Sequence, residues 1–225
     1  MDLSDLFGAG LFITVDGADG CGKSTMLTNA SMRLVAQGIP HRIINCPDVT
    51  SGEGEEVRKF ILSRNTLLSP STEAYLFVSG FHRALEKYIV PSILRNDIIF
   101  VDRWWYTTMV YQGIIRGKMP LIKSLIPTVY AGHVISETDI KAREINFLLS
   151  VDAKTSQARR STRSEGDVYD RQSEDFHRQV TEGYLSLFRD EDVISGVGSP
   201  EEVTDDFLKR VIHLAKLHKR VSGRT

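Results

Sequence analysis

Short apolar runs alternate with longer helical patterns along this chain. Residues 11–15 form a β-branched and aromatic run before Gly17, and residues 24–37 then place apolar side chains at helical spacing. The same order of strand and helix recurs further along the sequence. Because parallel strands need crossover connections of this length, the pattern predicts a three-layer α/β fold with a parallel sheet between helices. Such sheets carry their sites at the carboxyl ends of the strands.

The pattern also locates most elements of this fold. Pro91 is expected to bend or shorten one helix, 72–95, because proline lacks the backbone N–H that a helix interior needs. Residues 117–144 mix apolar and polar side chains without a clean period, so no element is predicted there. The predicted strands are 11–15, 42–44, 98–101 and 147–151, in a sheet of about five. The predicted helices are 24–37, 55–63, 72–95, 107–115, 155–163, 173–189 and 200–216.

Length, charge and cysteine content narrow the class of protein. A chain of 225 residues with 41% hydrophobic residues is expected to form a single domain over 1–225. A net charge of −1 provides no overall attraction to nucleic acid or to an anionic membrane, so neither partner is expected. Cys21 and Cys46 have no disulfide or metal-ligand spacing, and no long apolar stretch or basic leader is present. These features predict a cytoplasmic protein.

A glycine-rich loop follows the first predicted strand. Residues 17–24 read GADGCGKS, which fits the pattern GxxxxGK[ST] between a strand and a helix. In this motif backbone N–H groups surround phosphate oxygens, Lys23 adds charge at the β- and γ-phosphates, and Ser24 supplies a Mg²⁺ ligand. The alternative is a glycine turn with a structural role only. The motif predicts that ATP and Mg²⁺ are bound here, by Gly17, Asp19, Gly20, Cys21, Gly22, Lys23, Ser24 and Thr25.

A carboxylate and a guanidinium end the predicted strand at 98–101. Asp102 follows this buried-type run directly, and P-loop proteins hold Mg²⁺ through a carboxylate in this place. Ser24 and Asp102 are therefore the predicted metal ligands. Arg103 comes next, so the alternative is a structural ion pair.

An arginine cluster predicts a lid over about residues 159–171. Four arginines lie within this short polar segment, where guanidinium groups can close over a transferring phosphoryl group and exclude water. The alternative is a solvated helix face. Arg159 is predicted to contact the nucleotide, and Arg163 and Arg171 are predicted to be catalytic with Lys23 and Arg103.

Several segments resemble the thymidylate kinase family of P-loop nucleoside monophosphate kinases. Residues 12–20, FITVDGADG, are similar to the family's opening, and residues 102–113, DRWWYTTMVYQG, resemble its DRYxxSSxAYQG block. Residues 170–185 resemble the end of its lid. The resemblance covers roughly 11–190. It implies a P-loop kinase fold, ATP-dependent phosphorylation of a deoxynucleoside monophosphate with dTMP as the leading candidate, a place in dTTP supply for DNA synthesis, and a homodimer.

The resemblance also implies roles for residues of the acceptor site. Asp19 would reach the 3′-hydroxyl of the acceptor sugar, and Arg103 would hold the acceptor phosphate. Tyr111 would pack beneath the deoxyribose and disfavour a 2′-hydroxyl. Gln112 would face the edge of the base. Thr107 and Thr108 would stand near the base and sugar.

Two positions depart from the family pattern. Residues 45–53, NCPDVTSGE, lack the arginine that the family carries after its second strand. Phe81 stands where the family has an arginine that reads the thymine carbonyl. Either Arg83 supplies that contact or the base is recognised differently, which keeps dUMP, a modified pyrimidine or a broader range of deoxynucleotides open. Phe77 and Phe81, four residues apart, either stack on the base or are core residues.

Two other functions remain open from the sequence. A deoxynucleoside kinase would need a carboxylate base for a neutral hydroxyl, and Asp48 could serve. A regulatory nucleotide switch would need no acceptor site. A monophosphate acceptor is already anionic near neutral pH, so its phosphorylation depends on positioning and charge neutralisation, which the predicted cations supply.

Overall fold

The structure is a computed structural model that describes residues 1–46, 52–62, 68–160, 169 and 172–221, without the side chains of 52–55, 62, 160 and 221. Its described strands form one sheet in the order β2-β3-β1-β4-β5, with every neighbouring pair parallel. The predicted α/β fold is confirmed. The strands are β1 Phe12–Asp16, β2 His41–Asn45, β3 Ile98–Asp102, β4 Glu144–Ser150 and β5 Val193–Ser195.

Helices cover both faces of this sheet. In the part of the chain that the structure describes, no helix is long and apolar enough to span a bilayer. Two wider π-helical segments, Leu85–Ile89 and Met109–Ile115, continue α3 and α5. The helices are α1 Lys23–Ala36, α2 Gly52–Leu62, α3 Pro70–Ala84, α4 Val90–Leu94, α5 Trp105–Thr108, α6 Met119–Tyr130, α7 Glu137–Lys141, α8 Ala153–Arg160, α9 Glu174–Leu185 and α10 Pro200–Val221.

The two faces of the sheet belong to separate cores. In β3, Ile98 and Phe100 pack with α1 and α10, whereas Ile99 and Val101 pack with α3 and α4. Successive side chains of a strand point to opposite faces, so this alternation is expected. Every residue of β1 and β3 is buried. Strands covered on both faces appear in a sequence as continuous apolar runs, and for this reason both were recognisable.

Three parts of the chain differ from the sequence prediction. The predicted helix 72–95 divides at the π-helical segment Leu85–Ile89, where the Val90 N–H bonds to the carbonyl of Leu85. A wider turn directly before Pro91 accommodates a residue that has no N–H and crowds the preceding turn. Residues 117–144, for which no element was predicted, contain α6 and α7. The short strand β5 also escaped prediction, because three residues show too little alternation.

Gly17 connects β1 to the glycine-rich loop in a conformation that other residues rarely adopt. Its φ is +150°, and an added Cβ would lie 2.4 Å from the carbonyl oxygen of Leu149. We expect Gly17→Ala to cost about 2–3 kcal/mol of unfolding free energy from strain and overlap. In a protein of this size that loss lowers the Tm by roughly 5–10 °C, measured by scanning calorimetry.

Gly38→Ala is the matched control for this prediction. Gly38 has φ +66°, but no described atom lies within 4 Å of its added Cβ. Only backbone strain of about 1–2 kcal/mol therefore acts there. Equal losses of stability in the two variants would contradict the proposed overlap with β4.

Candidate active site

The glycine-rich loop between β1 and α1 encloses the side chain of Lys23. Gly22 takes φ +105° at the start of α1, and Lys23 is only 6% exposed. Its Nζ donates hydrogen bonds to the carbonyls of Gly17 at 2.8 Å and Ala18 at 3.1 Å. The loop therefore surrounds the ammonium group, at a helix N-terminus that favours anions. This arrangement is suited to phosphate oxygens.

Ser24 and Asp102 meet at the neighbouring ends of β1 and β3. The strands pair with Val15 opposite Asp102, so α1 begins beside the end of β3. Ser24 Oγ donates to Asp102 Oδ2 at 3.2 Å. Asp102 Oδ1 is buried and has no hydrogen-bond partner among the described residues. A hydroxyl and a carboxylate with an unused oxygen fit Mg²⁺, which prefers oxygen ligands shared with nucleotide phosphates.

Arg103 links β3 to the glycine-rich loop. It adopts φ +71°, and its side chain is 16% exposed. Its guanidinium donates to the Gly17 carbonyl at 3.1 Å and to Tyr184 Oη at 3.3 Å, and it forms an ion pair with Asp19. Burial alone would lower the pKa of Arg103, but the Asp19 carboxylate holds this pKa well above its usual value. A permanent cation is thus held beside the loop.

Asp16 was missed by the sequence analysis, although it holds the segment after Arg103. Its carboxylate is completely buried at the end of β1. Oδ1 accepts hydrogen bonds from the backbone N–H groups of Trp104 and Thr107, both at 3.1 Å, and from Thr107 Oγ1 at 2.7 Å. These bonds stabilise the chain where Arg103 takes its unusual φ. The sequence did contain a signal for this role, since Asp16 is an acidic residue at the end of a buried strand.

Removing the charge of Asp16 should change how stability depends on pH. Burial raises the pKa of the Asp16 carboxyl, despite hydrogen bonds from Thr107 and Trp104 that lower it. A raised pKa stabilises the folded state below the unfolded value of 3.8, and this contribution is lost as the pH rises through the folded value. The unfolding free energy of the wild type should therefore fall relative to that of Asp16→Asn as the pH rises from 3.8. Urea titrations at several pH values measure this difference, and a constant difference would refute the assignment.

A first cavity, the nucleoside cavity, lies beside Arg103. Its walls combine aromatic rings with a few polar groups. Phe77 and Phe81 are 8% and 2% exposed, and the Phe81 ring packs against Trp104 at 4.8 Å between centroids. The described lining residues do not include Arg83. They are Asp19, Cys46, Arg58, Phe77, Phe81, Arg103, Trp104, Thr107, Thr108, Tyr111, Gln112 and Tyr169.

A second cavity, the phosphate cavity, opens from the glycine-rich loop. It is lined by Lys23, Ser24 and Asp102, and it shares Asp19, Cys46, Arg58 and Arg103 with the nucleoside cavity. Arg58, on α2, was not identified from the sequence. It places a second guanidinium in the walls of both cavities, whereas the arginine that the family carries after its second strand is absent from residues 45–53. Helix α2 carries it there because neighbouring Ile61 is buried in the core.

A third cavity lies on the other side of the glycine-rich loop. It brings together Thr25, Cys21, Gly22 and Arg159, which are among the residues that the sequence analysis assigned to the nucleotide site. Arg159 donates to the carbonyls of Cys21 and Gly196, each at 3.2 Å. Arg163, Arg171 and Asp48 lie outside the described residues, as does most of the predicted lid. Their roles stay predictions.

The remaining predicted acceptor residues converge on the nucleoside cavity. Tyr111 Oη donates to Asp19 Oδ2 at 3.3 Å, and Thr107 Oγ1 lies 2.8 Å from Tyr184 Oη. Gln112 Nε2 donates to Glu73 Oε2 at 3.0 Å. The side-chain oxygen of Thr108 is buried without a hydrogen-bond partner in the described ranges. Tyr184 and Glu73 were not identified from the sequence.

The parallel sheet, the lysine-containing loop and the two adjoining cavities define a P-loop phosphotransferase. The sequence model of the family described as Thymidylate kinase matches residues 15–206. This chain belongs to the thymidylate kinase family.

Individual relatives agree with the family match. The thymidylate kinase of Thermoanaerobacter sp. (strain X514) is 33% identical over 181 residues, which cover 80% of this chain and 85% of that protein. The thymidylate kinase of Caldanaerobacter subterraneus subsp. tengcongensis is 31% identical over 185 residues, with 80% and 83% covered. That of Carboxydothermus hydrogenoformans is 29% identical over 197 residues, with 86% and 93% covered.

Proposed function

We propose that this protein transfers the γ-phosphoryl group of ATP to dTMP, forming dTDP and ADP. One observation carries the proposal: the nucleoside cavity and the phosphate cavity share Asp19, Arg58 and Arg103. An acceptor phosphate in one cavity and a donor phosphate in the other would therefore meet between two guanidinium groups. The curated relatives named thymidylate kinase support the same acceptor.

The reaction needs positioning and charge neutralisation more than a general base. A phosphate monoester has its second pKa at about 6, so the acceptor oxygen is anionic at neutral pH. That oxygen bonds to the γ-phosphorus as the bond from this phosphorus to the β,γ-bridging oxygen breaks, and ADP leaves. Lys23 and Arg103 stabilise the charge spread over the transferring group. Ser24 and Asp102 would hold Mg²⁺, which neutralises charge on the phosphates when bound.

Side chains of the nucleoside cavity would orient the acceptor. Phe77 supplies an apolar wall for a base, and Tyr111 and Asp19 would lie at the sugar. On the opposite side of the loop, Thr25 and Arg159 would contact the donor nucleotide. Closure of a lid with Arg163 and Arg171, a single domain over 1–225, a homodimer and a cytoplasmic location stay predictions.

A coupled ADP-release assay tests the proposal. The acceptors are dTMP, dUMP, dCMP, dGMP, UMP and thymidine, each with ATP and Mg²⁺. We expect turnover of dTMP on the order of 1–100 per second. If thymidine is phosphorylated and dTMP is not, the result would support a deoxynucleoside kinase. Nucleotide binding without turnover of any acceptor would support a regulatory switch.

A further inference from the structure

A buried carboxylate lies behind the base-facing end of the nucleoside cavity. Glu73 belongs to the first turn of α3 and is 6% exposed. Its Oε2 accepts hydrogen bonds from Gln112 Nε2 at 3.0 Å, from Tyr169 Oη at 3.0 Å and from Arg116 at 2.7 Å. Glu73 therefore joins α3 to the π-helical segment that carries Gln112. It is not itself among the described residues that line the cavity.

This carboxylate determines which atom Gln112 can offer to a ligand. An amide has one acceptor and one donor end, and a flipped amide would place its oxygen against the Glu73 carboxylate. The donor end, Nε2, faces Glu73 and also lies 3.3 Å from Tyr169 Oη. The acceptor end, Oε1, is buried and has no hydrogen-bond partner in the part of the chain that the structure describes. Gln112 is among the residues that line the cavity, so a base that reached its amide would meet the acceptor end.

Among the described residues of the cavity wall, Gln112 and Thr108 each have a buried side-chain oxygen without a hydrogen-bond partner. Phe81 closes part of the same wall, and a phenyl ring has no hydrogen-bonding group. The Thr108 hydroxyl, buried in the wall, can donate. The Gln112 acceptor and the Thr108 donor together complement an imide, in which an N–H lies between two carbonyls. The acceptor would meet the N–H, and the donor would meet one of the carbonyls. Thymine and uracil carry this edge at N3, whereas cytosine has an acceptor at N3.

We propose that Glu73 is a positioning residue that orients Gln112 and thereby makes the cavity select the imide edge of thymine or uracil over cytosine. This inference rests on the proposed function of the same site. A structural role for the Glu73–Arg116 ion pair alone would affect folding but not the choice of base. The two roles predict different results for one substitution, Glu73→Gln.

Glu73→Gln keeps the size of the side chain but replaces the carboxylate by an amide. The side chain at position 73 then no longer requires Gln112 to face it with its N–H donors. Gln112 can then turn its donor end to the base, where it suits cytosine. We expect the KM for dTMP to rise about tenfold and kcat to stay within about twofold, because the lost contact is to the base. The ratio of kcat/KM for dTMP to that for dCMP should fall at least about tenfold.

Glu86→Gln is the matched control, since Glu86 is exposed just beyond α3. It should leave both kinetic constants and the dTMP to dCMP ratio unchanged. Thermal unfolding of each variant shows whether it folds. If Glu73→Gln does not fold, Glu73→Asp repeats the test, because it keeps a charge near Arg116 but withdraws the carboxylate by one methylene.

Binding of dTMP and dCMP by calorimetry separates this inference from the proposed function. If the wild type binds dTMP but does not phosphorylate it, the proposed function fails, while the ratio of the two dissociation constants still tests Glu73. An unchanged ratio of dissociation constants in a folded Glu73 variant would overturn the inference. A wild type that binds dCMP as tightly as dTMP, or that binds neither nucleotide, would also overturn it.

Discussion

Lys23→Ala should lower kcat/KM for ATP-dependent phosphorylation of dTMP by roughly 10³-fold, equivalent to about 4 kcal/mol of transition-state stabilisation. Lys23 is buried within the loop that would hold the phosphates, and its Nζ lies 2.8 Å from the Gly17 carbonyl. A cation in a site shielded from water stabilises developing negative charge far more than one in solvent. Steady-state kinetics with ATP and dTMP measures this loss.

The Lys23 variant should remain folded, which separates catalysis from stability. Alanine leaves the Gly17 and Ala18 carbonyls without the ammonium donor, a cost of about 1–3 kcal/mol in unfolding free energy. Calorimetry measures that cost. Lys209→Ala is the control, because Lys209 is exposed on α10 and should affect neither activity nor stability. Activity of Lys23→Ala within tenfold of the wild type would refute the role assigned to the lysine.

Arg103→Ala should also reduce kcat/KM by roughly 10³-fold, with a clear rise in the KM for dTMP. The Arg103 guanidinium lies at the boundary of both cavities and forms an ion pair with Asp19. Its removal takes away one of the two guanidinium groups between which the phosphates would meet. The partly buried Asp19 carboxylate then keeps the hydrogen bond from Tyr111 but loses its ion pair with Arg103. Titration of dTMP at saturating ATP measures the expected change.

Arg95→Ala is the control for the second prediction. Arg95 forms an exposed ion pair with Asp97, and its side chain is 56% exposed. Its removal should cost at most about 1 kcal/mol of stability and leave the kinetics unchanged. Calorimetry of Arg103→Ala is also needed, because alanine at φ +71° is strained. A folded Arg103→Ala enzyme with an unchanged KM for dTMP would show that this arginine does not hold the acceptor.

Local chemistry explains which parts of the site were predictable. Residues 17–24 carry their function through glycine conformations and a lysine within one short segment, so the sequence pattern contains the whole motif. Asp102 was recognisable because it ends a buried apolar strand. In each case the chemical group and its structural context are neighbours along the chain. The strand–helix alternation was equally local, and the predicted parallel sheet agrees with the structure.

The contacts that could not be predicted join residues that are far apart in the sequence. Asp16 and Trp104 are 88 positions apart, and Gln112 and Glu73 are 39 apart, yet each pair forms a hydrogen bond. No periodicity encodes such pairs, because packing of the helices on the sheet brings them together. Arg58 illustrates the same point, since α2 places it in the walls of both cavities.

The sequence by itself determined the fold class, the phosphate-binding loop and the likeness to thymidylate kinases, because short segments carry these properties. Tertiary structure alone decided the partners of the site residues: Asp16 behind Arg103, Arg58 between the cavities and Glu73 behind Gln112. The physical reason is that a hydrogen bond or ion pair depends on distance in space. Packing of the helices against both faces of the sheet sets that distance.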